Sequence, residues 1–311
     1  MVGLSSESGY LMFRNYRTLV SDVTGGNWAV CQYRKALSAT ATVTGQWFDY
    51  SYAPGMPVAN YYAASPLVAA TLESNKGMYA PTLPAKTVYL KSWCAMSLAS
   101  GGTSATNQNQ HLILCDYLLF YPFVDADAAG DLQEMTNSTT LPRYVGDKTL
   151  QMMIVSQSAT TGGGSFTITY DNQDGVEKTT PIIYCAAAQS PGALVSCIGN
   201  ATSTAPFVHL ADGDTGVTRV KSVTVNVNNG GLFCIVIVKP IINNWVREEV
   251  RRRDATTFAS YGDAAMVESG ILNAGYPVIK DGAFLGVIGR GMGGSLASSI
   301  LTGYIEYIWS N

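Results

Sequence analysis

Polar and apolar positions alternate with a period of two along much of this chain, the mark of half-buried strands. Ser165-Phe166-Thr167-Ile168-Thr169-Tyr170 is the clearest instance. Asp171-Asn172-Gln173-Asp174-Gly175 then supplies turn chemistry, with Gly175 free to take positive φ. Thr180–Cys185 reads as the return strand, and Pro181 marks its start or a sheet edge. The same grammar recurs at Val217–Val227, where Lys221, Val223, Val225 and Val227 share one face. Asn228-Asn229-Gly230-Gly231 follows, and then Leu232–Val238, apolar at nearly every position and therefore a strand buried on both faces. These two runs and their turn predict a hairpin.

Further strands are predicted at Trp28–Tyr33, Ala41–Phe48, Thr87–Met96 and His111–Tyr121, separated by loops rich in Gly, Ser, Thr and Asn. Helical signals are confined to Ala64–Ser74 and Asn243–Asp254. The spacing predicts an all-β fold, an antiparallel β-sandwich or jelly roll with long loops and few short helices. Residues 1–25 show no periodic strand and read as an N-terminal arm, with a β-rich domain over 26–311. Any internal division of that domain is expected near 136–145. The glycine-rich stretch 270–311 ends in Tyr304-Ile305-Glu306-Tyr307-Ile308-Trp309, an aromatic segment expected to dock and close a sheet, because an exposed one would invite aggregation.

Composition sharpens this picture. Only 13% of the 311 residues are charged and only two are histidine, against about 25% charged in an ordinary soluble domain. No segment is long and apolar enough to be a membrane helix; the longest run, Leu112–Val124, is about half a span and contains Asp116. Depletion of charge with 18 Tyr, 9 Phe, 5 Trp and 10 Met is the composition of interface cores. A net charge of −3 gives no general attraction to nucleic acid or anionic membranes. The opening Met1–Glu7 lacks a basic region followed by an apolar core, so no secretory signal is expected. The six cysteines form no Cys-x-x-Cys pair, and several fall inside apolar runs. They are expected to be reduced core thiols of a protein made in a cytoplasm, one or two disulfides being the alternative.

Candidate chemistry is sparse. Gly289-Arg290-Gly291-Met292-Gly293-Gly294 satisfies G-x-G-x-x-G, but the 17 residues after Gly294 leave no room for the helix, second strand and acidic residue of a dinucleotide site. It reads as a glycine-rich loop or bulge. Asp125-Ala126-Asp127 with Gly130, Asp131 and Glu134 resembles a calcium loop, yet Ala129 stands where an oxygen side chain is needed and Thr136 where a Glu is, so a solvated acidic loop is expected, an irregular cation site being the alternative. Arg247–Asp254 carries four arginines nearly neutralised by Glu248, Glu249 and Asp254, which points to ion pairs with another protein surface more than to phosphate. His111 and His209 sit among apolar neighbours and read as strand residues. The sequons at Asn137 and Asn200 carry little meaning without a signal peptide. Nothing assembles a nucleophile with its base, and the chain reads as non-enzymatic, with no cofactor and no metal.

Leu141–Asp147, Ser165–Gly175, Gly231–Pro240 and the Gly282–Trp309 tail resemble virion structural proteins of tailed bacteriophages, especially head-associated cement or decoration proteins. That resemblance implies a β-rich capsid protein that binds the shell lattice and reinforces it, with the major capsid protein and copies of itself as partners, no direct nucleic acid and no membrane. It implies a place on the phage head, reached by assembly in the bacterial cytoplasm. The contact residues expected are Tyr10, Phe13 and Tyr16 of the arm, Arg247, Arg251, Arg252 and Arg253 of the charged segment, and Tyr304, Tyr307 and Trp309 of the tail. Two other readings stand beside it: a jelly-roll capsid subunit that assembles by itself, and a tail or surface protein whose aromatic loops bind a host receptor.

Overall fold

A computed structural model describes residues 25–38, 45–99, 110–185, 188–197, 204–246, 264–268, 276–292 and 296–309. Its eighteen strands, numbered in chain order, form three six-stranded sheets in which every named strand pair is antiparallel. The first sheet holds β1 (Trp28–Ala36), β3 (Gly55–Met56), β5 (Val88–Ala99), β15 (Ala264–Glu268), β16 (Val278–Ile279) and β18 (Ser299–Trp309). The central sheet holds β2 (Trp47–Asp49), β4 (Ala70–Thr71), β6 (Gln110–Asp125), β8 (Gln151–Ser156), β14 (Leu232–Val246) and β17 (Leu285–Gly291). The second sheet holds β7 (Leu132–Glu134), β9 (Ser165–Asn172), β10 (Glu177–Thr179), β11 (Ile183–Cys185), β12 (Ser196–Cys197) and β13 (Val217–Val227). The all-β sandwich expected from the alternation is the fold observed.

The long strands β6 and β14 are the spine. Leu112 and Leu114 of β6 pack with Leu90, Trp93 and Ile305 of the first sheet. Further along, Leu119 and Tyr121 pack with Phe166, Ile168 and Val223 of the second sheet. Even positions thus give way to odd ones on a single face. A bulge is responsible: Val238 pairs with Tyr117 and Ile237 with Leu119, leaving Leu118 as an extra residue that restores the facing. The opposite face of the central sheet, with Ile113, Tyr117, Val236 and Ile288, is roofed by Tyr62, Leu72, Leu194 and Phe207 from connecting segments. Burying each such large side chain contributes roughly 1.5–3 kcal/mol as an upper bound. The largest of these side chains is tied by a relay: Trp93 Nε1 donates to Tyr33 Oη at 2.9 Å, and that hydroxyl donates to the Cys94 carbonyl at 2.9 Å.

Several expectations need correcting. β13 and β14 are not a hairpin: Asn228–Gly231 carries the chain from the second sheet to the central one, with Gly230 and Gly231 both at positive φ. The apolar faces of the two sheets then meet across the sandwich, Phe166 of β9 stacking on Phe233 of β14 at 4.8 Å. β14 is buried on both faces over Phe233–Val238, as predicted. Lys221 does not share a face with Val223 and Val225, because a register shift between Val220 and Ser222 turns it outward. The return strand opposite β9 begins as β10 and resumes after Pro181 as β11, which pairs with the other end of β9. Ala64–Ser74 is not a helix: it contains Pro66, Leu67 has φ 59°, and Ala70–Thr71 pairs with β6. Asn243–Val246 is the end of β14, alternating exposed and buried, while 247–254 lies outside the described residues. Within 41–48 the described strand begins at Trp47.

Candidate protein-contact surface

Among the described residues, the first sheet has an unfinished margin. β1 pairs with β18 along its whole length, but its other side meets β3 only at Arg34 and Lys35. Alternation along β1 sends Cys31, Tyr33 and Lys35 inward and leaves Trp28 and Val30 exposed. From the end of β3 the chain projects Met56, 69% exposed, and beyond it Val58 and Tyr61. Tyr79 flanks the same margin, its carbonyl accepting the Tyr307 hydroxyl at 2.7 Å where Tyr307 pairs with Ala29. Six large apolar or aromatic side chains along β1 and the segments that follow it are therefore exposed. Exposed apolar side chains that gather on a folded protein mark a place where another surface sits.

The projecting loop is held rigidly from beneath. Lys35, 1% exposed, directs its ammonium at the carbonyls of Pro57 (2.6 Å), Ala53 (3.0 Å), Val58 (3.3 Å) and Ser51 (3.5 Å). Burial lowers its pKa to about 8, against the pull of Asp49. Asp49 is fully buried and accepts from the Ser51 hydroxyl (2.7 Å) and amide (2.8 Å), the Tyr117 hydroxyl (2.8 Å) and the Tyr62 hydroxyl. Burial raises its pKa while those donors oppose the rise. The far end of the loop is tied by Asn60 N–H to the Ser51 carbonyl (2.9 Å) and by Gln157 Nε2 to the Tyr61 carbonyl (3.2 Å). The Met56–Pro57 peptide is cis. Between this loop and the sheet lies a groove of about 270 Å³ lined by Leu37, Phe48, Tyr52, Pro54, Tyr61 and Pro191. Tyr52 and Tyr61 meet edge to face at 4.9 Å. A loop already ordered loses little entropy on docking, which is how a small apolar patch yields affinity.

The expected contact residues fare differently. Tyr10, Phe13, Tyr16, Arg247, Arg251, Arg252 and Arg253 lie outside the described residues. Tyr304 and Trp309 are half-buried on β18. Tyr307 is buried in the first-sheet core, so its ring has no surface to offer. The aromatic tail is docked, as expected, and lies between β5 and β1. Gly289 and Gly291 lie on strand β17, not in a loop, and a Cβ at Gly289 would come within 2.7 Å of both Leu112 and Tyr50. Asp125 and Asp127 accept the amides of Asp127 and Gly230 (both 2.9 Å), turning the acidic loop back on itself. Among the described residues no group of three or more His, Cys, Asp or Glu is placed to hold a metal ion, and no helix is long and apolar enough to cross a membrane. Asn137 is spent internally, accepting from Tyr121 (2.8 Å) and donating to the Val220 carbonyl (2.8 Å). Cys31, Cys94, Cys115 and Cys234 are buried thiols whose pKa burial raises. His209 is exposed in a connecting segment and not on a strand, while His111 is on β6 between two tryptophans.

Sequence reasoning missed the Lys35 staple and the loop above it. The signal was the parity of β1, which puts Lys35 on the same side as Cys31 and Tyr33, followed by Pro54-Gly55-Met56-Pro57. Comparison with protein-family models, curated proteins and solved structures finds no match to this chain.

Proposed function

We propose that this chain is a non-enzymatic structural subunit of a phage virion, a cement or decoration protein that grips the head lattice through apolar protein–protein contacts. The observation that carries the reading is the rigidly held apolar margin formed by Trp28, Val30, Met56, Val58, Tyr61 and Tyr79 on a chain with very few charges. Hot spots of this kind are central, aromatic or apolar, and pre-ordered. The resemblance of Leu141–Asp147 and the Gly282–Trp309 tail to head-associated proteins supports the head as the place of action. A stable contact buries about 1,200–2,000 Å², and repetition over a lattice makes modest contacts additive in effect. The mechanism is adhesion: the margin is covered by a neighbouring capsomer, and the three-sheet body carries load between neighbours.

The test is co-sedimentation of purified protein with DNA-filled and with expanded empty heads that lack it. Saturable binding at a fixed copy number per head is the expected result. A folded, soluble protein that does not bind heads overturns the cement reading. Closed particles formed by the purified protein alone would identify the shell subunit instead.

A further inference from the structure

Among the described residues Lys35 is the one lysine or arginine that is fully buried, and it lies under the loop that carries Met56 and Val58. Alternation along β1 turns its side chain inward, beside Cys31 and Tyr33. Its ammonium donates to carbonyls on both limbs of the loop, those of Ser51 and Ala53 before Gly55 and those of Pro57 and Val58 after it. β3 meets β1 only at Arg34 and Lys35, so the ammonium holds Pro57 and Val58, which strand pairing does not reach. Bonds from an ionised donor are roughly twice as strong as neutral ones. The loop's order therefore depends on one proton.

We infer that Lys35 is a proton-operated latch: its ammonium keeps residues 53–58 ordered, and loss of the proton in mildly alkaline solution releases Pro57, Val58 and the apolar side chains beside them. A neutral amine keeps two N–H groups and gains a lone pair, so it cannot serve four converging carbonyls. Burial lowers the pKa of Lys35 from 10.5 to about 8, the attraction of Asp49 opposing. Between those two values the folded chain has lost a proton that the unfolded chain keeps. Stability from this group therefore rises with pH across that window, and the release is local, not the onset of unfolding. The surrounding groups hold their state meanwhile. Asp49 is engaged by Ser51, Tyr62 and Tyr117, and burial lifts both tyrosine hydroxyls well above their ordinary pKa, which keeps them neutral. A small void beside Lys35 is lined by Lys76, which pairs with Glu73 at 3.0 Å, and otherwise by groups that do not titrate, among them Ser51, Pro57 and Met78. The latch governs the order of the loop whatever surface docks there, so head binding is not its readout.

The test is an NMR titration of the full chain, labelled with carbon-13 at lysine Cε and methionine methyl groups, from about pH 6.5 to about pH 9.5. One lysine signal, Lys35, should titrate with a midpoint near 8, while ordinary lysines titrate near 10.4. The Met56 methyl signal, assigned through Met56→Leu, should shift and narrow with the same midpoint. Met152 and Met153, buried in β8, report the body of the sandwich and should stay constant. Asp116, with a pKa of about 6, titrates below this range. In Lys35→Met the Met56 signal should hold its alkaline position at every pH; should that variant fail to fold, the two wild-type midpoints decide by themselves. No lysine titrating below pH 9.5 overturns the inference, as does a Met56 signal that stays put while Lys35 titrates. A Met56 transition that persists in Lys35→Met, or one shared by Met152 and Met153, overturns it too.

Discussion

The outer face of the second sheet and the free margin of the first sheet solve the same problem in opposite ways. The second sheet covers itself with ion pairs: Lys148 with Asp174 at 3.0 Å, Lys221 with Glu177 at 2.5 Å, and Arg219 with Asp171. Its exposed apolar residues, Leu132, Val176, Ile182 and Val227, fall at a strand start, a turn, the approach to β11 and a strand end. The margin of the first sheet instead exposes apolar or aromatic side chains on either side of Arg34 and buries the charges of Lys35 and Asp49 underneath. Scattered apolar residues need no partner, whereas a grouped set on a stiff frame does. Charge on one region therefore serves water, and charge beneath the other serves geometry.

Glycine substitutions break this comparison most sharply. Gly55 has φ +139° and a Cβ there would lie 2.0 Å from the Arg34 carbonyl oxygen, so Gly55→Ala forces β3 off β1. A loss of about 3 kcal/mol or more is expected in denaturant titration. Gly175, in the second-sheet turn, has φ +74° and open space around it. There the same change costs about 1 kcal/mol, from the left-handed backbone alone. Equal losses at the two sites would mean that the margin is no stiffer than an ordinary turn.

The buried pair at Asp116 adds a third treatment of charge. Arg143 grips this carboxylate through Nη2 at 2.6 Å and Nε at 3.0 Å, and Phe284 N–H donates to it at 3.0 Å. Burial nevertheless outweighs these partners and raises its pKa from 3.8 to about 6. Between about pH 4 and pH 6 the native state thus keeps a proton that the unfolded chain has released. Stability from this group falls as pH rises through that window, by about 3 kcal/mol at most. Comparing unfolding free energies of the wild type and Asp116→Asn from pH 3.5 to pH 7 isolates the slope. The Asn variant should lack it, and a slope of opposite sign would show that Arg143 wins over burial.

Much of the sandwich was legible because alternation is a local property. β13 ends where the sequence says, and Leu232–Val238 is buried on both faces because its residues are apolar at consecutive positions. What was not legible depends on partners far along the chain. Whether Asn228–Gly231 turns back on itself or crosses to another sheet is decided by β14 finding β6, more than 100 residues earlier. The bulge that omits Leu118 from pairing leaves no mark in the local pattern, yet it lets a single face of β6 serve two sheets. The margin was hidden for a similar reason. Met56 and Tyr61 look like ordinary loop residues until Lys35, some twenty positions earlier, is seen to fix the loop's carbonyls.

Replacing Met56, Val58 and Tyr61 together by serine tests the margin by function. These side chains are exposed, so the melting temperature should stay close to wild type. On the cement reading, head binding in co-sedimentation should fall by about 100-fold, as expected when several hot-spot residues are truncated. Wild-type binding by this variant would move the contact surface elsewhere on the molecule.

The smallest effect is expected on the second sheet, and its smallness is informative. Lys148 and Asp174 are both more than half exposed, and the pair lies on the solvent side of the β9–β10 turn. Their attraction is screened by water and salt and must be set against the entropy of holding a long side chain in place. Lys148→Ala should leave the melting temperature within experimental error of wild type at 0.15 M salt. On the cement reading head binding should be unchanged too, because that reading assigns the lattice contact to the apolar margin. If this variant instead weakened head binding while the serine variant of the margin did not, the two regions would exchange roles. The ion-paired sheet would then be the docking face, and charge complementarity, not apolar burial, would hold the protein in place.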